Sequence, residues 1–179
     1  MSTTTTPTPF HLAGNYRPVT DEITATDLPV SGELPAELAG SFLRTGPNPR
    51  SGSSPHWFLG DGMVHGIRLG DGQAQSYRNR YVQTTSFVHG TTMFDTEGRR
   101  DLTASTANTH VIRHAGRILA LEESGLPYLL TPELDTVGPW DFGGHLQTNF
   151  TAHPKVCPRT GELHGFAYGY TAPYLTYHV

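Results

Sequence analysis

One cysteine, Cys157, is too few for an internal disulfide and fits a reducing compartment. Basic residues are scarce too. The 12 Lys and Arg against 16 Asp and Glu leave a formal charge of -4, and no basic run interleaves with aromatics, so nucleic acid is not an expected partner. No stretch approaches the roughly 20 apolar residues needed to span a bilayer. The opening Met-Ser-Thr-Thr-Thr-Thr-Pro-Thr-Pro has neither the positive nor the apolar region of a secretory leader. These absences predict a soluble, cytoplasmic protein. A sustained 3.6-residue apolar period is also missing, which counts against a helical fold.

Turn formers are abundant: 20 Gly and 14 Pro punctuate short apolar runs in 179 residues. That pattern predicts an all-β chain with many turns, long enough for one domain with a sizeable core. Residues 1–9 read as a disordered Thr/Pro tail and 10–179 as the domain. Within it, residues 33–40 predict one helical turn closed by Gly40, and 41–45 a strand stopped by Gly46-Pro47-Asn48-Pro49. His56-Trp57-Phe58-Leu59 reads as a short strand. Residues 63–69 and 73–82 form a hairpin about Gly70-Asp71-Gly72, its return strand outermost and partly exposed. Residues 84–107 read as a long surface loop with a single helical turn.

A second hairpin joins residues 108–113 to 117–122, and the apolar run 118–121 predicts a strand buried on both faces. Residues 127–131 and 134–138 complete a four-stranded antiparallel unit. The pattern then restarts with strands over 148–153 and 163–170. The latter sets Gly165, Ala167 and Gly169 on one face, as suits a strand packed closely on a neighbour. A further strand opens at Pro173, and the sequence stops inside it. Two hairpin-built units followed by the start of a third fit stacked blades or a sandwich, and the ending predicts a truncated chain.

Thr151-Ala152-His153-Pro154-Lys155 places a histidine at a strand end, pinned by proline, a good position for a metal ligand. The strong local metal spacings are missing: there is no HExxH and no CxxC. His110 and His114 are four apart in a hairpin, which does not bring them onto one face, and Cys157 and His164 merely flank a turn. Neither glycine-rich Gly-Asp-Gly opens a helix that would cradle phosphate, and no GxSxG elbow is present. Glu122 and Glu123 are adjacent, so on a strand they face opposite ways. One facing inward needs a partner, and a metal-bound imidazole N–H is a suitable one.

Four segments, in order, carry a family likeness. Gly40-Ser41-Phe42-Leu43-Arg44-Thr45-Gly46-Pro47-Asn48-Pro49 resembles the opening strand of the carotenoid cleavage oxygenases, and Trp57-Phe58-Leu59-Gly60-Asp61-Gly62-Met63-Val64-His65-Gly66 resembles their next segment. Asn108-Thr109-His110-Val111, continuing to Leu119-Ala120-Leu121-Glu122-Glu123-Ser124-Gly125, is similar to the following blade. Thr151-Ala152-His153-Pro154-Lys155 is similar to the segment bearing the first iron-binding histidine.

The resemblance implies a seven-bladed β-propeller of which this chain supplies the N-terminal two to three blades. It implies a non-haem Fe(II) held by four histidines, three glutamates orienting some of them. His153 matches the first ligand and Glu123 the first of those glutamates. His65, His89, His110 and His145 match no ligand position. The implied reaction is cleavage of a conjugated carbon–carbon double bond by O₂ in an apolar polyene, a substrate that partitions into lipid and leaves room for peripheral membrane contact. In the stilbene-cleaving branch a lysine precedes the glutamate; here that position is Glu122, which tilts the expectation towards carotenoids or apocarotenoids. A stilbene-cleaving enzyme of the same family and a non-catalytic β-rich binding module are the alternatives. With one matched histidine, the chain by itself is expected to be inactive.

Overall fold

The computed structural model describes residues 7–179, so most of the expected Thr/Pro tail lies outside the described residues. Three antiparallel sheets follow one another along the chain. The first contains β1 (Thr24–Thr26), β2 (Gly40–Pro47), β3 (Gly62–Gly70) and β4 (Gln73–Tyr81), in spatial order β1-β4-β3-β2. A short helix α1 (Thr85–His89) then leads to the second sheet, β5 (His110–His114), β6 (Arg117–Leu121), β7 (Tyr128–Leu130) and β8 (Thr136–Pro139), in sequential order. The third sheet pairs β9 (Lys155–Val156), β10 (Leu163–Tyr168) and β11 (Leu175–His178). All pairings are antiparallel, and the all-β expectation holds.

The hairpins sit where the turn residues placed them. Gly70 pairs with Gln73 across Asp71-Gly72, both with positive φ (52° and 69°), the conformation of a primed two-residue turn. His114 pairs with Arg117 across Ala115-Gly116 in the same way.

Strand β6 organises the core. Ala120 packs into one apolar cluster with Val64, Val82, Ala107, Tyr128, Leu130 and Leu134, which joins the second sheet to the first. Leu119 and Leu121 point the other way, into a second cluster with Leu126, Leu146, Phe150, Ala152 and Leu163, which joins it to the third. The expectation of two-sided burial for residues 118–121 is met at Leu119, Ala120 and Leu121, each at most 1% exposed, while Ile118 is half-buried against the first cluster.

Several expectations differ from the structure. The return strand β4 is not outermost, because β1 pairs along it with Thr24 opposite Arg78. Polar side chains recruit that edge: buried Asn79 accepts from the Ile23 amide (2.7 Å) and donates to the Asp21 carbonyl (2.8 Å), and Glu22 accepts from the Tyr81 amide (2.6 Å). Residues 33–40 form a simple turn rather than a helical one, and Gly40 opens β2. The expected strand at His56 is a 3-10 turn, Trp57–Leu59, capped by the His56 ring accepting from the Phe58 amide. Residues 84–107 are not all surface, since Thr84, Ala104, Ser105 and Ala107 are buried, Ala107 in the cluster between the first two sheets. Residues 148–153 are irregular rather than a strand. Their polar groups bond outward through side chains, Asn149 to the Glu123 and Tyr168 carbonyls and Thr148 to His178.

Strand β10 confirms the packing reading. Leu163, Gly165 and Ala167 are buried while Phe166 and Tyr168 are exposed. A methyl group at Gly165 would fall within the Phe150 ring, so the ring lies directly on bare backbone. Gly165→Ala should therefore destabilise the protein by about 1–3 kcal/mol through overpacking. Urea unfolding is the check, and a Phe150→Leu background should recover part of the loss if the clash is the cause.

Candidate functional site

Strand ends of the second and third sheets converge on one cavity of about 600 Å³. Its walls also take in the segment ahead of the first sheet and the strand β2. Glu122, Glu123, Asn108, Thr109, His153, Arg44 and Trp57 are among its lining residues.

Two N-terminal 3-10 turns, Phe10–Leu12 and Gly14–Tyr16, begin a strap along one side of this cavity. The strap is tied down at both ends. His11 Nε2 donates to the Ser54 carbonyl (3.0 Å), and Phe10 and Tyr16 pack on Trp57 with ring centroids 5.3 and 4.8 Å away. At Val19, buried Asn48 accepts from the amide (2.7 Å) and donates to the carbonyl (2.9 Å), while also donating to the Tyr81 hydroxyl (2.7 Å). On the opposite wall, Asn108 donates to the Phe58 and Gly60 carbonyls (2.9 and 2.7 Å), fixing the chain where it enters β5.

The two sequence-predicted site residues come together. Glu123 follows β6, and its Oε1 accepts from the buried Ala152 amide at 3.1 Å. That bond places the carboxylate beside the next residue, His153, whose Nε2 lies 3.8 Å from the same oxygen, beyond hydrogen-bonding reach. The other oxygen, Oε2, is buried and has no partner in the structure. His153 itself presents its imidazole outward, 63% of the side chain being exposed. Its backbone is held, with the amide donating to Thr151 Oγ1 (3.1 Å) and Pro154 buried behind it.

His110 has a role the sequence did not show. Its Nδ1–H donates to the Ala152 carbonyl (2.8 Å), and its ring stacks on His153 with centroids 5.9 Å apart. Together with Glu123, it grips the peptide unit on each side of Ala152. The available signal was positional, since His110 opens the first strand of the second sheet and His153 lies two residues before the first strand of the third.

Glu122 behaves differently from its neighbour. Its carboxylate turns back on the chain, accepting from the Ser124 amide (2.9 Å) and hydroxyl (2.6 Å) and from Ser105 Oγ (3.4 Å). The adjacent carboxylates thus diverge as expected, one serving a local turn and the other the His153 segment. Cys157 and His164 do not share a site: the Cys157 amide caps the turn on the Glu162 carbonyl, and His164 bonds the Tyr177 hydroxyl. Among the described residues no group of three or more His, Cys, Asp or Glu converges as a metal cage.

His65 also lines the cavity, hydrogen-bonded through Nδ1 to Tyr77 (2.7 Å). Burial, and secondarily the positive Arg44 opposite it in the β2–β3 ladder, hold its pKa below the ordinary histidine value.

A blade-built all-β protein with an outward imidazole and a partly unsatisfied carboxylate at the strand ends is the class these features define. Residues 16–179 match the retinal pigment epithelial membrane protein family, and the chain belongs to it, the carotenoid cleavage oxygenases. It is 48% identical over 167 residues to a carotenoid cleavage oxygenase of Mycobacterium tuberculosis, covering 89% of this chain and 33% of that protein. To the carotenoid 9,10(9',10')-cleavage dioxygenase 1 of Arabidopsis thaliana it is 40% identical over 206 residues, covering 96% and 38%. The crystal structure of lignostilbene dioxygenase from Pseudomonas brassicacearum superposes with a TM-score of 0.75 at 37% identity, covering 90% of this chain and 37% of that one. Cobalt-substituted ACO from Synechocystis shares the fold, with a TM-score of 0.71 at 24% identity. The chain spans about a third of the length of the curated relatives it matches. Its three sheets are blades of the seven-bladed propeller.

Two outcomes follow from the site as built. Glu123→Ala strands the buried Ala152 amide and should cost about 1–3 kcal/mol, whereas Glu123→Gln keeps an acceptor and should cost far less; denaturant midpoints separate them. For His65, a folded-state pKa below the unfolded value means that its contribution is complete above about pH 6.5 and is lost as pH falls towards the folded pKa. The non-titrating His65→Gln should flatten that acid-side decline in melting temperature.

Proposed function

We propose that this chain is part of a non-haem Fe(II) dioxygenase that cleaves a conjugated double bond of a carotenoid or apocarotenoid. The overall change is balanced: C=C and O₂ become two C=O groups, one oxygen atom on each carbon. The observation that carries the reading is the outward His153 imidazole standing beside Glu123, whose Oε2 is buried and unpartnered. A buried carboxylate oxygen calls for a donor. The N–H of an iron-binding imidazole from elsewhere in the complete protein supplies one, and this donor chemistry fits the group.

His153 would hold the iron through one ring nitrogen, together with histidines beyond the described residues. When bound, the iron supplies activation of O₂. The chain's own residues do the rest. Glu123 fixes the Ala152 amide with one oxygen and orients an imidazole tautomer with the other. His110 holds the Ala152 carbonyl, so the His153 backbone cannot swing. Tyr16, Trp57, Phe58 and Val19 give the cavity apolar wall against which a polyene aligns and from which water is displaced.

A stilbene substrate is the second reading, favoured by the 37% identity to the lignostilbene dioxygenase. Against it stands Glu122, an acceptor-only group already bonded to Ser124, where the resemblance assigns that branch an ammonium. Because a polyene partitions into lipid, the proposal includes peripheral contact of the complete protein with a membrane surface; no helix among the described residues is long and apolar enough to cross one.

In the complete protein, His153→Ala should abolish iron loading, measured by metal analysis, and with it polyene cleavage, measured by mass spectrometry of the carbonyl products. Unchanged iron content removes His153 from the ligand set. Cleavage of stilbenes but not polyenes selects the second reading, and cleavage of neither leaves a binding module. The 179-residue chain alone should show no turnover.

A further inference from the structure

Two arginines line the same cavity as His153 and Glu123, and neither is neutralised. Arg17 lies on the N-terminal strap and Arg44 on β2. Neither takes part in an ion pair or a side-chain hydrogen bond among the described residues, although two carboxylates line the same cavity. Glu122 is committed to Ser124 and Ser105, and Glu123 holds the Ala152 amide with one oxygen while its other oxygen is buried. Other arginines are satisfied by the chain itself, Arg99 by Asp95 at 2.8 Å and Glu97 at 3.0 Å, and half-buried Arg78 and Arg80 by carbonyls and Thr24. Arg17 and Arg44 share their unpaired state with exposed Arg68, Arg113 and Arg159 but differ from them in lining the cavity.

Both arginines also stand on held backbone. Arg17 follows the Gly14–Tyr16 turn, its amide bonded to the Gly14 carbonyl (3.2 Å), and lies two residues before the Val19–Asn48 anchor. Arg44 is paired in register with His65 within an eight-residue strand. A guanidinium is always charged and offers a planar fork of donors suited to a carboxylate. With its polar atoms unpaired beside an aromatic wall of Tyr16 and Trp57, it is poised for a ligand that is apolar along its length and anionic at one end.

We propose that Arg17 and Arg44 form a recognition end for the carboxylate of an oxidised polyene, so that the substrates of this site include apocarotenoid acids bound with the acid group on the strap side. The inference rests on the polyene reading above and narrows it to end-group chemistry. Carbonyl oxygens of apocarotenals would be accepted more weakly, since a neutral acceptor makes a weaker bond to a guanidinium than an ionised one.

The test uses the complete protein, metal-free, so that binding is read apart from turnover. Quenching of tryptophan fluorescence reports occupancy, because Trp57 lines the cavity. The probes are a linear polyene carboxylic acid and its methyl ester, which differ only in the charge at one end. Wild-type protein should prefer the acid, and the Arg17→Gln/Arg44→Gln double variant should weaken acid binding by about tenfold or more while changing ester binding less than about twofold. Arg99→Gln, outside the cavity, should change neither. Equal loss of both ligands would overturn the proposal by making the arginines structural, and no change in either would overturn it by removing them from the ligand. Failure of the wild-type protein to bind either polyene sinks the polyene reading itself, and the proposal with it.

Discussion

From Leu119 to Leu121 strand β6 has no face left for solvent, and the rest of the molecule is arranged around that demand. Its alternate side chains require an apolar partner on each side, so the second sheet is held between the first and the third. Burying Leu119, Ala120 and Leu121 to 1% or less removes enough apolar surface to be worth several kcal/mol. The same strand delivers Glu122 and Glu123 at its end. The cavity therefore lies where it does because the strand that carries the core runs out there.

From that end, the site is assembled by hydrogen bonds rather than by sheet pairing. Ala152 is the point of attachment. Its amide goes to Glu123 on the second sheet and its carbonyl to His110 on the same sheet, while the Thr151 amide reaches the Phe166 carbonyl on the third. The histidine that follows is thus fixed between two blades without belonging to a strand of either. Such a position can present an imidazole into open space and still hold its direction, as a metal-binding side chain must.

Periodicity and turn chemistry revealed the hairpins, the two-sided strand and the small-residue face of β10, because those features are written in neighbouring residues. The pairing of His153 with Glu123 was legible only through motif resemblance, since 29 positions separate Glu123 from Ala152 and no spacing rule covers that distance. What stayed hidden was decided by side-chain amides reaching across the chain. Asn79 recruited a three-residue edge strand from an unremarkable Thr-Ala-Thr, and Asn149 kept residues 148–153 out of a ladder that their composition would have allowed. His56 likewise turned an apolar tetrapeptide into a capped 3-10 turn.

The contact between Phe150 and the bare backbone of Gly165 has a further consequence. The ring stands three residues before His153, inside the cluster that seats Ala152. Any side chain at residue 165 must push the ring, which packs in the same cluster as Ala152, the residue before the imidazole. Residue 165 does not line the cavity, yet it acts as the backstop for the group that does. The bearing of the imidazole is set from behind the sheet, and tolerance to mutation at the site reaches one layer deeper than the cavity wall.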